Sequence, residues 1–111
     1  MNYIRIIDGE TVPTTTAVAY TAPSAVSTVI HRMSLSNYST STAMVTIYLV
    51  PSGEDLKNDY LVCRNKVIPG DESRTCYELE GHVIEASGTL QYVCDMPDSV
   101  AAVCSGVELA V

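Results

Sequence analysis

The stretch Thr42-Ala43-Met44-Val45-Thr46-Ile47-Tyr48-Leu49-Val50, closed by Pro51-Ser52-Gly53, decides the fold class. Side chains alternate between the two faces of a strand. Ala43, Val45, Ile47 and Leu49 therefore share one side, and Met44, Tyr48 and Val50 the other. Both sides are apolar, as in a strand covered on both faces. The stretch reads as a buried sheet centre, and Met44, Tyr48 and Val50 are its candidate subunit contact. Pro51-Ser52-Gly53 is turn chemistry, and Glu54-Asp55-Leu56-Lys57-Asn58-Asp59 behind it reads as an exposed loop.

Outward from this strand the same alternation of β-branched runs and turn clusters continues. Thr16 to Tyr20 ends at Thr21-Ala22-Pro23-Ser24, where Pro23 bars a central strand. Val26 to Ser36 is too long and too mixed for one flat strand, which predicts a bulge before the turn Asn37-Tyr38-Ser39-Thr40. Strands follow at Tyr60 to Ile68, Thr75 to Leu79, Gly81 to Ile84 and Gly88 to Cys94. The last runs from Ser99 to Val111 after the turn Asp95-Met96-Pro97-Asp98. No window carries a sustained helical apolar period. Turn signals at this spacing and about eight short strands predict an all-β fold, an antiparallel β-sandwich of jelly-roll type. The Thr-rich opening around Thr11, Pro13, Thr14, Thr15 and Thr16 assigns residues 1–15 to an extended N-terminal arm and 16–111 to the sandwich domain.

Composition narrows the function. The chain has 111 residues, enough for one core. It contains seven Tyr and neither Phe nor Trp, so aliphatic side chains must fill the interior, with tyrosines at its edges or at contacts between chains. The net charge is −7, and Arg5, Arg32, Lys57, Arg64, Lys66 and Arg74 form no run, which argues against nucleic acid as a partner. No apolar stretch approaches the roughly 20 residues of a membrane helix. The start Met-Asn-Tyr-Ile-Arg-Ile-Ile-Asp does not read as a signal peptide, so synthesis in a cytosol is expected.

Groups for catalysis are scarce. His31 and His82 stand in no catalytic phrase, and no phosphate loop, Gly-x-Ser-x-Gly or His-Glu-x-x-His occurs. The acidic residues Glu54, Asp55, Asp59, Asp71, Glu72, Glu78, Glu80 and Glu85 match no calcium loop and read as solvated turns. The expectation is a non-enzymatic chain without cofactor or metal. Cys63, Cys76, Cys94 and Cys104 are spaced by 13, 18 and 10 positions, unlike zinc ligands. Alternation puts Cys63 in phase with Leu61 and Val67, and Cys94 with Leu90 and Tyr92, as buried thiols. It puts Cys76 beside Glu78 and Glu80, and Cys104 beside Glu108, facing outward as candidates for an intermolecular disulfide.

Six phrases occur in order. They are Tyr20-Thr21-Ala22-Pro23, Ile30 through Leu35 to Asn37, Thr46 to Gly53, Val67-Ile68-Pro69-Gly70-Asp71-Glu72, Gly81 to Gln91 and Ser105-Gly106-Val107-Glu108. Over roughly Ala19 to Leu109 the chain resembles a family of small tailed-bacteriophage virion proteins of the head-decoration, collar or tail-associated kind. Ser87-Gly88, where such sequences usually place Gly-Asp, and the four cysteines depart from that pattern. The resemblance implies a β-sandwich, often a homotrimer, resting on other virion proteins such as the major capsid, neck or tail sheath protein. Decoration or cementing of the head, or sheathing of neck, collar or tail, is the expected role, in a virion assembled in a bacterial cytoplasm. A host-surface glycan-binding module at a tail fibre is the alternative, to be recognised by clustered exposed tyrosines near Tyr38 or Tyr60. A secreted sandwich with two internal disulfides is a third.

Overall fold

The computed structural model describes residues 2–110. Met1 of the expected arm and Val111 of the expected last strand lie outside the described residues. Nine strands follow one another: β1 (Asn2–Thr11), β2 (Ala17–Thr21), β3 (Val26–Asn37), β4 (Ala43–Val50), β5 (Leu61–Ile68), β6 (Ser73–Thr75), β7 (Val83–Ile84), β8 (Thr89–Cys94) and β9 (Val100–Ala110). Two short 3-10 turns, Asn58–Tyr60 and Tyr77–Leu79, are the only helical pieces among the described residues.

The strands form two sheets, and every pairing is antiparallel. The first has the order β1-β9-β3-β6, with β7 also paired to β3, and the second the order β2-β8-β4-β5. The architecture is that of a β-sandwich. Ile7, Ile30, Met33, Leu35, Ile47, Ile68, Leu79 and Leu90 fill the space between the sheets. With no Phe or Trp available, Tyr92 is the bulkiest fully buried side chain.

The expected N-terminal arm is a strand. Asn2–Thr11 pairs along its length with β9, and Ile6, Ile7 and the following Val12 are buried. Thr11 and Pro13 suggested a connection, but the alternating stretch ahead of them covers an otherwise open flank of β9. Thr75 to Leu79 is likewise not one strand. The pairing of β6 ends at Thr75, and the chain turns through Tyr77–Leu79 before pairing resumes at β7. β3 carries the expected bulge, between Ile30 and Arg32 in its pairing with β9. On the other side of β3 the segment after β6 loops out, anchored by Cys76 N–H to Met33 O (2.8 Å) and Gly81 N–H to Ile30 O (2.8 Å), and drops Leu79 into the core.

Bulges recur at the same level in β1, between Arg5 and Ile7. An extra residue reverses the alternation, which is why adjacent Ile6 and Ile7 are both buried. Between the two bulged strands β9 runs straight, and Gly106 is the residue that fits there. A Cβ at this position would collide with the Val29 carbonyl and the Ile6 side chain.

Polar groups are also built into the interior. Tyr92 on β8 donates to Glu10 Oε2 on β1 (3.2 Å), and the Tyr20 hydroxyl on β2 meets Thr28 Oγ1 on β3 (2.8 Å) and Glu108 Oε2 on β9 (3.3 Å). Both tyrosines thus span the two sheets. Asn37, at the end of β3, is 3% exposed and has all its hydrogen-bonding capacity in use. It donates to Ser41 O (2.8 Å) and Ile68 O (2.9 Å), and accepts from the Ser39 N–H (2.9 Å) and hydroxyl (2.7 Å). Among the described residues no buried side-chain nitrogen or oxygen lacks a partner.

Asn37→Ala should therefore destabilise the fold by about 1–3 kcal/mol, because the Ser41 and Ile68 carbonyls lose a donor and Ser39 loses its acceptor; the shift in urea midpoint measures this. Burial and Glu10 push the Tyr92 hydroxyl up to about 12, above the usual tyrosine value of about 10. The unfolded chain releases this proton first, so stability is intact below about pH 10 and declines as pH rises towards 12. In Tyr92→Phe that decline should be shallower, read from denaturation midpoints across the same range.

Candidate functional site

The outer face of the second sheet is where the sequence located its candidate contact. Register places Val18, Gln91, Tyr48 and Leu61 in one row across β2, β8, β4 and β5. Val93 pairs with Thr46 in the next row, and Met44 with Val67 in the one after. All project away from the core face formed by Ala43, Val45, Ile47, Leu90, Tyr92 and Cys94. Val18 is 53% and Val67 52% exposed, while Met44, Tyr48, Leu61 and Val93 are half-buried by their neighbours. A sheet face turned to water ordinarily carries polar side chains; this one is mostly aliphatic.

Val67 reaches this face through a further backbone irregularity. Asn65 adopts a left-handed φ of 51°, and the Thr46 hydroxyl holds it by donating to Asn65 Oδ1 (3.3 Å) and accepting from the Asn65 N–H (3.0 Å). Cys63 and Ile68 consequently both point inward, and Val67, expected in phase with Cys63, points outward. Val50 also departs from expectation. It is 3% exposed, so it offers no surface to a partner; it lines an open cleft of about 300 Å³ with Leu49, Pro51, Val83, Ile84, Glu85 and Thr89. Of the three candidate contacts, Met44 and Tyr48 remain on the outer face.

The cleft contains no aromatic ring among its lining residues. Tyr38 is tied to the Ser99 carbonyl through its N–H, at the turn between β3 and β4. Tyr60 sits beyond the other end of β4, its hydroxyl on Glu54 Oε1 (2.9 Å) and its ring under the Lys57 ammonium at 5.4 Å. These two tyrosines do not cluster. His31 and His82 are exposed. Several acidic groups have separate local partners: Glu72 with Arg74 (2.6 Å), Glu80 with Arg32 (3.8 Å) and Glu85 with the Ser52 N–H (2.9 Å).

All four cysteines are free and buried, which overturns the outward placement of Cys76 and Cys104 as candidates for intermolecular disulfides. In β9 the phase was read correctly and its sense inverted. Cys104 does share a face with Glu108, but that face is the inner one, because Glu108 meets the Tyr20 hydroxyl. Cys76 lies outside any strand, at the entry to the 3-10 turn, so alternation does not apply to it. It approaches Cys63 on β5: the two sulfurs and a Glu78 carboxylate oxygen lie within 4.8 Å of one another. Spacing along the chain gave no sign of this group, since it arises from two sheet edges meeting.

Burial alone pushes the Cys104 thiol up to about 12. With so little thiolate at neutral pH, alkylation of Cys104 in the native protein should be at least about a hundredfold slower than in the denatured chain. Mass spectrometry of peptides after timed iodoacetamide treatment measures the ratio.

Among known proteins, no family model, no curated protein and no solved structure matches this chain significantly.

Proposed function

We propose that this protein is a non-enzymatic structural subunit of a tailed-bacteriophage virion, a jelly-roll β-sandwich that associates through the outer face of its second sheet. That face carries the reading. Val18, Met44, Tyr48, Leu61, Val67 and Val93 present a mostly apolar surface around the polar Gln91 and Thr46, the composition of a surface that is covered in an assembly. The strand order supports the jelly-roll assignment. The pairs β1·β9, β2·β8, β3·β6/β7 and β4·β5 are those of one long hairpin rolled upon itself.

The remaining surface fits the same role. A net charge of −7 keeps the particle exterior from adhering to nucleic acid. His31 and His82 lie exposed to water, whereas the four cysteines are buried. A closed homotrimer is the expected unit, its sheet faces meeting one another or the capsid, neck or tail protein beneath.

Met44 and Val67 are cross-strand partners whose side chains lie outside the core, so glutamate at both sites tests association without emptying the interior. Sedimentation of the purified chain should show a trimer at micromolar concentration. Met44→Glu with Val67→Glu should weaken association about a hundredfold, with an unchanged circular dichroism spectrum. A wild-type chain that stays monomeric at the highest soluble concentration would overturn self-association through this face. Mass spectrometry of purified phage particles should find the chain in many copies, and its absence from them would remove the virion reading.

A further inference from the structure

The cysteine pair at the open edge of the sandwich is independent of the assembly reading. Cys63 belongs to β5, the edge strand of the second sheet, and Cys76 follows β6, the edge strand of the first. No strand pairing joins the sheets at this margin. Each backbone is held in place, Cys63 opposite Ile47 in the β4·β5 register and Cys76 by its N–H on the Met33 carbonyl at 2.8 Å. Their sulfurs lie within 4.8 Å of each other, against about 2 Å in a disulfide, so a bond requires the two side chains to turn toward one another.

We propose that Cys63 and Cys76 form an intrachain disulfide when the folded protein meets a low-molecular-weight disulfide oxidant of the glutathione class. The surroundings favour a redox pair over a bound cation. Lys66 Nζ lies 3.3 Å from Glu78 Oε1, so a positive charge already occupies the only carboxylate of the group. The two thiols are also unequal. Cys76, fully buried, directs its thiol toward Glu78 Oε1 at 3.7 Å, whereas Cys63 keeps a slight exposure of 4%. The neighbouring Cys76 thiol, helped by Lys66, holds Cys63 below the ordinary thiol range, while the Cys63 contact and burial push Cys76 up. Cys63, the less buried of the two, is the attacking sulfur, and Cys76, enclosed and tied to Glu78, the resolving one.

The exchange balances in two displacements. The Cys63 thiolate attacks one sulfur of the oxidant, forming a mixed disulfide and expelling the first small thiolate. Cys76 then gives up its proton and attacks the Cys63 sulfur, forming the Cys63–Cys76 bond and expelling the second. The protein loses two electrons, the oxidant gains them, and the two thiol protons end on the two small thiols released. The bond closes the loop Arg64 to Thr75, which crosses from one sheet edge to the other.

The test incubates the purified native chain with excess oxidised glutathione, quenches with acid, and counts thiols after denaturation. Two of four thiols should disappear, with a mass decrease of two hydrogens, no adduct, and a proteolytic fragment joining Cys63 to Cys76. The melting temperature should rise on the order of 10 °C over the reduced protein, as for a bridge closing a loop of this length. C76S should instead retain one glutathione on Cys63, and C94S/C104S should oxidise as the wild type does. The proposal is overturned if four thiols remain, if the bridge involves Cys94 or Cys104 or a second chain, or if the wild type keeps a glutathione adduct on Cys63.

Discussion

The pairing of the chain's two ends holds the rest of the structure together. β9 lies between β1 and β3, and only after the last residues insert between two much earlier strands does the first sheet exist as a continuous surface. Gly106 permits the fit where both neighbours bulge. This pairing brings Ile6, Ile7 and Cys104 under cover, and the whole core depends on it. Contacts so distant in sequence close large loops before any stabilisation returns, as expected for slow-forming all-β topologies.

A chain without Phe or Trp has to fill its interior differently. Aliphatic side chains supply most of the volume, and tyrosine supplies the ring. Each buried hydroxyl needs a partner, and here the partners come from the opposite sheet. Tyr92 and Tyr20 therefore fix the relation between the sheets as well as packing them, and Asn37 does the same where β3 ends beside Ile68. Aliphatic contacts tolerate sliding, whereas a satisfied buried hydrogen bond specifies one position.

The two outer surfaces have different characters. On the first sheet apolar side chains alternate with Arg5, Asp8, Arg32 and Ser34. On the second, the aliphatic surface around Met44 and Tyr48 extends across all four strands. A subunit that uses one face for contact and leaves the other in water has this asymmetry. The thiol pair stands apart from both faces, at the margin where the sheets meet without strand pairing, so its chemistry bears on the stability of a single subunit.

The all-β class, most strand positions, the bulge in β3 and the apolar second face of β4 were legible in the sequence, because each rests on local alternation and turn chemistry. The alternation around Thr42 to Val50 sets Met44 and Tyr48 together on the face opposite Ala43, Val45 and Ile47. Alternation cannot say which of two faces is the core, and it loses phase at each bulge. That is why Cys104 was assigned to the wrong side and Val67 to the wrong phase, and why a turn at Cys76 passed for a strand. The strand at the N-terminus was equally invisible, since Asn2–Thr11 acquires its partner only when Val100–Ala110 arrives from the far end. The meeting of Cys63 with Cys76 was decided by tertiary structure alone, because it follows from how two sheet edges are brought together and not from any spacing along the chain.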